Sequence, residues 1–341
     1  FTPLIDSLPA SVPFVGPETL ERMHERAFLA RIGANESVFG PSPLAIEAMQ
    51  AEAKGVWQYG DPENFELKQA LAKKHGISAD HIAIGEGIDG LLGYLVRLFV
   101  EAGVHVVTTD GAYPTFNYHV TGFGGHLHKV SFKDDREDPA ALLDKANEVG
   151  ARIIYLSNPN NPMGSTNPAR IIEDLADNLP PQTLLCIDEA YADFLDAAQM
   201  PDIAPDHPQI IRMRTFSKAY GMAGARIGYA ITHTELATAF HKIRNHFGMS
   251  RISQAGALAA LDDTGYLAAI RTKVARALSD IAAIAVENGL APLASATNFL
   301  AIDCGGDGRR AAKVMQSLIS QGIFVRMPGT APQNRCIRIT A

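Results

Sequence analysis

The stretch Arg152-Ile153-Ile154-Tyr155-Leu156-Ser157-Asn158-Pro159-Asn160-Asn161-Pro162-Met163-Gly164 decides the architecture. A short apolar run breaks abruptly into two Asn-Pro pairs and a glycine, the punctuation of a buried strand entering a tight loop. In an α/β sheet, loops that leave the carboxyl ends of parallel strands are where ligands bind. Further apolar runs stand at 81–84, 104–108, 126–130, 183–187, 210–214 and 226–231, with amphipathic helical stretches such as 88–101, 139–149 and 168–178 between the earlier ones. The alternation predicts an α/β fold whose large domain has a mostly parallel sheet flanked by helices.

The pattern changes near residue 250. A long helical run over 266–288 is followed by a strand at 298–302, a helix at 309–321 and strands near 323–326 and 336–340. A smaller C-terminal α/β domain is expected there. The first thirty-odd residues are Pro-rich and read as an irregular arm lying over the surface or onto a partner subunit. The expected division is an arm over 1–34, a large domain over 35–250 and a small domain over 251–341.

With 341 residues, 47% of them hydrophobic and 20% charged, the chain can bury a large core. Its net charge of −7 argues against sequence-independent nucleic-acid binding. The run 91–100 is interrupted by Arg97 and falls short of the ~20 residues of a membrane span. Cys186, Cys304 and Cys336 are too widely and irregularly spaced for a disulfide framework or a zinc knuckle, so a reduced cytoplasmic enzyme is expected. The chain opens on Phe1 with no charged-then-apolar leader, so the numbering is expected to begin inside a longer polypeptide. His126 and His128 alternate on one strand without a third ligand at a telling spacing. They read as solvent-face residues, and no metal is expected.

Four segments carry chemistry. Gly85-Glu86-Gly87-Ile88-Asp89-Gly90 is a G-x-G-x-x-G turn between a strand and a helix, with Asp110 at the end of the next strand. It suits a dinucleotide, a plain tight turn, or a phosphate held by free N–H groups at a helix start. The Asn-Pro loop is the second segment. In the third, Cys186-Ile187-Asp188-Glu189-Ala190-Tyr191, an apolar strand runs into two acids. A buried carboxylate needs a cation, a metal or a protonated ring nitrogen, unless Asp188 simply caps a helix. The fourth runs from Thr215-Phe216-Ser217-Lys218 to Arg226. Desolvation of Lys218 would make its amine nucleophilic toward aldehydes, and Arg226 offers a forked donor set to a phosphate.

Taken in order with Asn35-Glu36, Gly40-Pro41-Ser42-Pro43, Tyr59-Gly60-Asp61-Pro62 and Tyr113-Pro114-Thr115-Phe116, these segments resemble the pyridoxal-phosphate enzymes related to aspartate aminotransferase. The likeness is closest to the histidinol-phosphate aminotransferases. It implies the PLP-dependent transferase fold, pyridoxal 5′-phosphate as cofactor and an aminotransferase activity on small-molecule amino donors and acceptors. Lys218 then resembles the Schiff-base lysine that also shuttles the proton, and Asp188 the acid paired with the pyridinium nitrogen. Asn161 and Tyr191 match the groups that bond the phenolate oxygen, and Phe116 the ring stacked on the pyridine. Gly87, Ile88 and Asp89 match the phosphate-binding helix start, with Ser217 and Arg226 as further donors. Tyr59 matches a tyrosine that reaches the phosphate from the neighbouring subunit of a homodimer. Arg338, Arg326 and Asn35 match the substrate-binding residues.

The chain also departs from the family pattern. Met163 stands where threonine is usual, and Ser37-Val38-Phe39 where Asn-Pro-Tyr is commoner. It stops at Ala341, just past Arg338, where relatives continue into a final helix, so either further residues follow or the small domain is trimmed. The leading expectation is amino transfer between histidinol phosphate and 2-oxoglutarate. An aromatic amino acid aminotransferase and a threonine-phosphate decarboxylase-like lyase are the alternatives. A pyridoxal-phosphate-responsive regulator would need a basic DNA-binding domain, for which the chain has no room.

Overall fold

Ile153 and Tyr155 pack into one apolar cluster with Leu91, Leu95 and Phe116, whereas Ile154 and Leu156 pack into another with Leu142, Ile172 and Leu175. Successive side chains thus enter opposite layers, as a strand buried on both faces requires. The computed structural model describes residues 1–9 and 15–341. Its strands are β1 (Ala30–Arg31), β2 (Ile82–Gly85), β3 (His105–Thr109), β4 (His126–Val130), β5 (Ile153–Ser157), β6 (Leu184–Asp188), β7 (Ile210–Thr215), β8 (Gly228–Thr232), β9 (Ala291–Pro292), β10 (Phe299–Asp303), β11 (Ile323–Phe324) and β12 (Cys336–Thr340).

The main sheet runs β2-β8-β7-β6-β5-β3-β4. Only β8 opposes its neighbours, pairing antiparallel with both β2 and β7. The mostly parallel sheet is therefore as expected. The helix Gly87–Phe99 covers one face, and Pro139–Val149 and Ala169–Asp177 cover the other. Asp138 starts Pro139–Val149 by accepting from the N–H groups of Ala140 and Ala141, and Gly150 ends it in the left-handed conformation.

A second, antiparallel sheet of order β12-β10-β9 packs against the helices Thr264–Glu287 and Gly308–Ser320. The N-terminal stretch is not wholly irregular. Pro3–Ser7 and Pro17–His24 are helical, each with proline in its first turn, where the missing N–H costs nothing. Strand β1 then pairs in parallel with β11, and the Thr340 N–H donates to the Ile32 carbonyl at 2.8 Å. His105 Nδ1 lies 2.8 Å from His128 Nε2, so His128 faces a cross-strand neighbour as well as solvent. Among the described residues no helix is long and apolar enough to cross a membrane.

Candidate active site

The parallel strands end in a row: Ser157 closes β5, Asp188 closes β6 and Thr215 closes β7. Beyond these ends lies a cavity of about 310 Å³, lined by Ile88, Asp89, Tyr113, Asp188, Lys218 and Arg226 among others. An outer cavity of about 780 Å³ adjoins it, shares Asp89, Tyr113, Asn161 and Lys218, and is bounded by Asn35, Arg326 and Arg338.

Asp188 is 5% exposed. Its Oδ2 accepts from the Tyr155 hydroxyl at 2.6 Å and its Oδ1 from the Ala190 N–H at 2.9 Å. Burial pushes its pKa up to about 6. Both donors are neutral and no ion pair reaches it among the described residues, so the carboxylate can hold a cation inside the cavity. Its neighbour Glu189 points away from the cavity. Burial alone pushes Glu189 up, but Arg212 at 2.7 Å and Arg214 at 2.8 Å hold it below the usual carboxylate range.

Lys218 follows β7 directly, and its Nζ donates to the Asn35 carbonyl at 3.1 Å. Burial first, and the nearby Arg338 charge second, lower its pKa to about 8. Asn35 has a left-handed backbone, φ 56°, and is buried. It donates from Nδ2 to the Tyr191 hydroxyl at 2.8 Å and from its main-chain N–H to Thr340 Oγ1 at 3.1 Å. Burial pushes the Tyr191 phenol up to about 12.

At the opposite end of the inner cavity, Gly87 begins a helix with φ 80°. A Cβ there would lie 2.6 Å from Arg226 Nη2, so only glycine lets the guanidinium lie against the helix start. Arg226 Nη1 also donates to the Ala223 carbonyl at 2.9 Å, and Ser217 Oγ accepts from Thr215 Oγ1 at 2.9 Å. Free N–H groups at a helix start, a hydroxyl and a guanidinium together can bind an anion such as a phosphate. A carboxylate, an amine and a phosphate cradle therefore line a single cavity, the donor set that an aldehyde-bearing pyridine phosphate requires.

Two of the expected cofactor residues line neither cavity of their own chain, as is expected of Tyr59 if it serves a neighbouring subunit. Phe116 is fully buried and stacks on Tyr155, with centroids 4.5 Å apart and planes 13° apart, so it lines neither cavity. Three residues earlier, Tyr113 lines both, with its hydroxyl 3.0 Å from Asp89 Oδ1. The helix Thr115–Gly122 turns Phe116 into the sheet and leaves Tyr113 on the loop before it. Tyr59 lies on the surface at 77% exposure, against Phe247, and reaches neither cavity of its own chain.

Arg338 donates from Nη1 to Asn161 Oδ1 at 2.5 Å and from Nη2 to the Gly33 carbonyl at 3.0 Å. Its buried Nε has no partner among the described residues, and burial lowers its pKa to about 10. Arg326 is bridged to Arg338 through the backbone and donates to the Val15 carbonyl at 3.0 Å. Met163 is fully buried against Ala301 and Cys336, so it packs beneath the loop. Sequence reading missed Tyr155. A tyrosine inside an aliphatic strand needs a buried partner for its hydroxyl, and that was the available signal.

The profile of the aminotransferase class I and II family matches residues 30–341. The chain belongs to that family. This aminotransferase is 31% identical to a histidinol-phosphate aminotransferase of Desulfotalea psychrophila, over 95% of this chain and 86% of that protein. A second relative, histidinol-phosphate aminotransferase 1 of Mesorhizobium japonicum, is 34% identical over 91% of this chain and 84% of its own length. Among solved structures, a histidinol-phosphate aminotransferase from Sinorhizobium meliloti in complex with pyridoxal-5′-phosphate superposes with a TM-score of 0.97 at 56% identity, covering 100% of this chain and 92% of that one. Aspartate aminotransferase from Thermus thermophilus with maleate, at 20% identity and a TM-score of 0.83 over 100% of this chain and 94% of that one, shares the fold. The aminotransferase uses pyridoxal 5′-phosphate, the cofactor expected from the sequence.

Proposed function

We propose that this aminotransferase passes an amino group between glutamate and an imidazole-bearing phosphate ester, with histidinol phosphate and 2-oxoglutarate as the exchanging pair. The observation that carries the reading is Arg338. Its guanidinium lines the outer cavity, is bonded to Asn161, which lines both cavities, and has no carboxylate partner among the described residues. A guanidinium fork binds carboxylate and phosphate alike, so one residue serves both half-reactions. Arg326 and Asn35 bound the same outer cavity and complete the substrate site.

Pyridoxal phosphate held by the residues of the inner cavity would supply an aldehyde and a protonated ring that accepts electron density. The chain supplies the remainder. Lys218 presents an amine that burial leaves about half neutral near pH 8 and would return the proton to the substrate carbon. Asp188 would hold the ring nitrogen charged, and Asn161 and Tyr191 would donate toward the ring oxygen. Gly87, Ile88, Asp89, Ser217 and Arg226 hold the phosphate, and Tyr113 takes the stacking position expected of Phe116. Exposed Tyr59 completes the phosphate site of a second subunit, so the working form is a homodimer. The division into an arm (1–34), a cofactor domain (35–250) and a small domain (251–341) belongs to the same reading and is supported by the separation of the seven-stranded sheet from the three-stranded one. A cytoplasmic location accords with three buried, unpaired cysteines.

A substrate panel under steady-state conditions tests the reading. The expected result is highest kcat/KM with histidinol phosphate and 2-oxoglutarate. Preference for phenylalanine or tyrosine by more than about tenfold, ~1.4 kcal/mol, replaces the substrate. Release of carbon dioxide without amino transfer replaces the reaction class.

A further inference from the structure

Glu137 lies outside every segment singled out in the sequence, yet it is 2% exposed and has no cationic partner among the described residues. Its carboxylate is instead filled by donors from three places. Oε2 accepts from Thr109 Oγ1, at the end of β3, at 2.8 Å. Oε1 accepts from the Ser157 N–H, at the end of β5, at 3.1 Å, and from Asn160 Nδ2 at 2.6 Å.

Asn160 is in turn fixed at every polar group. Its Oδ1 accepts from the Met163 N–H at 3.0 Å, its N–H donates to the Ser165 carbonyl at 2.7 Å, and its carbonyl accepts from the Gly164 N–H at 3.0 Å. The next residue is Asn161, whose Oδ1 receives Arg338. We infer that Glu137 is a positioning residue. By tying the ends of β3 and β5 to Asn160, it sets where Asn161 meets the cofactor's ring oxygen and where Arg338 meets the substrate anion. A burial-raised pKa of about 7 fits a carboxylate kept inside for its acceptor geometry. The inference rests on the proposed role of Asn161.

What the site needs is acceptors, which makes the conservative variant informative. In Glu137→Gln, the amide oxygen keeps the Ser157 and Asn160 donors, and its NH2 donates to Thr109 Oγ1, which turns from donor to acceptor. Glu137→Ala removes all three contacts, and Asn160→Ala cuts the same tether from the loop side.

The test is a pH titration of the absorbance of cofactor-loaded enzyme, with steady-state KM for each substrate alongside. A hydrogen bond to the ring's charged oxygen lowers the midpoint, so Glu137→Ala and Asn160→Ala should each raise it by about half a unit or more. Both should also raise KM. The double variant should match the larger single effect, because the two residues act as one tether. Glu137→Gln should titrate like the parent. Additive shifts, an unmoved midpoint in both alanine variants, or a glutamine variant as impaired as the alanine variant each overturn the inference. If Glu137→Ala does not fold, Asn160→Ala and Glu137→Gln decide it. Asn161→Ala separates the two claims: an unmoved midpoint there refutes the role of Asn161, whereas a shift there with none in Glu137→Ala refutes only that of Glu137.

Discussion

Tyr155 Oη donates to Asp188 Oδ2 at 2.6 Å while the face of the same ring stacks on Phe116. One side chain thus links the apolar layer beneath the sheet to the charged floor of the site. Packing fixes the ring, and the fixed ring aims its hydroxyl. We expect Tyr155→Phe to keep the stack and lose the donor. A hydrogen bond to a charged group is worth ~1.5–3 kcal/mol, so turnover should fall by about tenfold to a hundredfold. Unchanged kcat would show that Ala190 alone suffices to hold Asp188 in its charged form.

Phe116 and Tyr113 should separate stability from cofactor contact. Phe116→Ala opens a cavity in a filled core and should cost ~3–5 kcal/mol in denaturant unfolding. Tyr113→Ala should leave unfolding nearly unchanged and weaken cofactor retention on dialysis. A reversal of these two outcomes returns the stacking role to Phe116.

The Lys218 amine must be neutral to attack an aldehyde. Burial lowers its pKa to about 8, so the reactive fraction grows as pH rises and is half-maximal near that value. The rate at which cofactor-free protein takes up pyridoxal phosphate should follow this curve rather than one centred near the ordinary lysine value of about 10.4. Lys218→Ala should abolish the borohydride-trapped adduct. An equal adduct in that variant moves the Schiff base to another lysine.

Glu189 carries a prediction about stability alone. Arg212 and Arg214 hold its folded pKa below the ordinary value, so its contribution is complete above the unfolded value of about 4.3 and is lost as pH falls through the folded one. Glu189→Ala leaves two guanidinium groups without their shared partner. Breaking a buried pair costs ~3–5 kcal/mol, and urea denaturation at neutral pH should show that loss.

Tyr59 permits a complementation experiment. Mixing Tyr59→Phe subunits with Lys218→Ala subunits should produce hybrids that regain one complete site if the tyrosine serves its neighbour. Sedimentation as monomer at working concentration removes the shared site altogether.

Strand runs near 153–157, 184–188 and 210–215 were legible because apolar residues stop sharply at Asn, Asp or Ser, and the chemistry begins at the same stop. Lys218, Asp188 and Arg226 were visible for that reason, since a charge beside a buried strand demands a partner. Tyr113 and Phe116 were not separable by spacing. Which of two aromatics enters the cleft depends on where Thr115–Gly122 starts, and a shift of one turn exchanges them. Glu137 was silent for a different reason. Its neighbours Asp134, Asp135, Arg136 and Asp138 make it look like part of a solvated charge run, and only tertiary contacts with Thr109, Ser157 and Asn160 show otherwise.

Asn35 draws its position from Thr340, far along the chain, and lends its carbonyl to Lys218. During synthesis every strand of the main sheet, β2 to β8, leaves the ribosome before β12 does. A nascent chain can therefore assemble the floor of its pocket while the lysine still lacks the acceptor that aims it. Maturation of the amine waits for β12, so a translation product broken off before residue 340 should collapse into a folded sheet that handles the cofactor poorly.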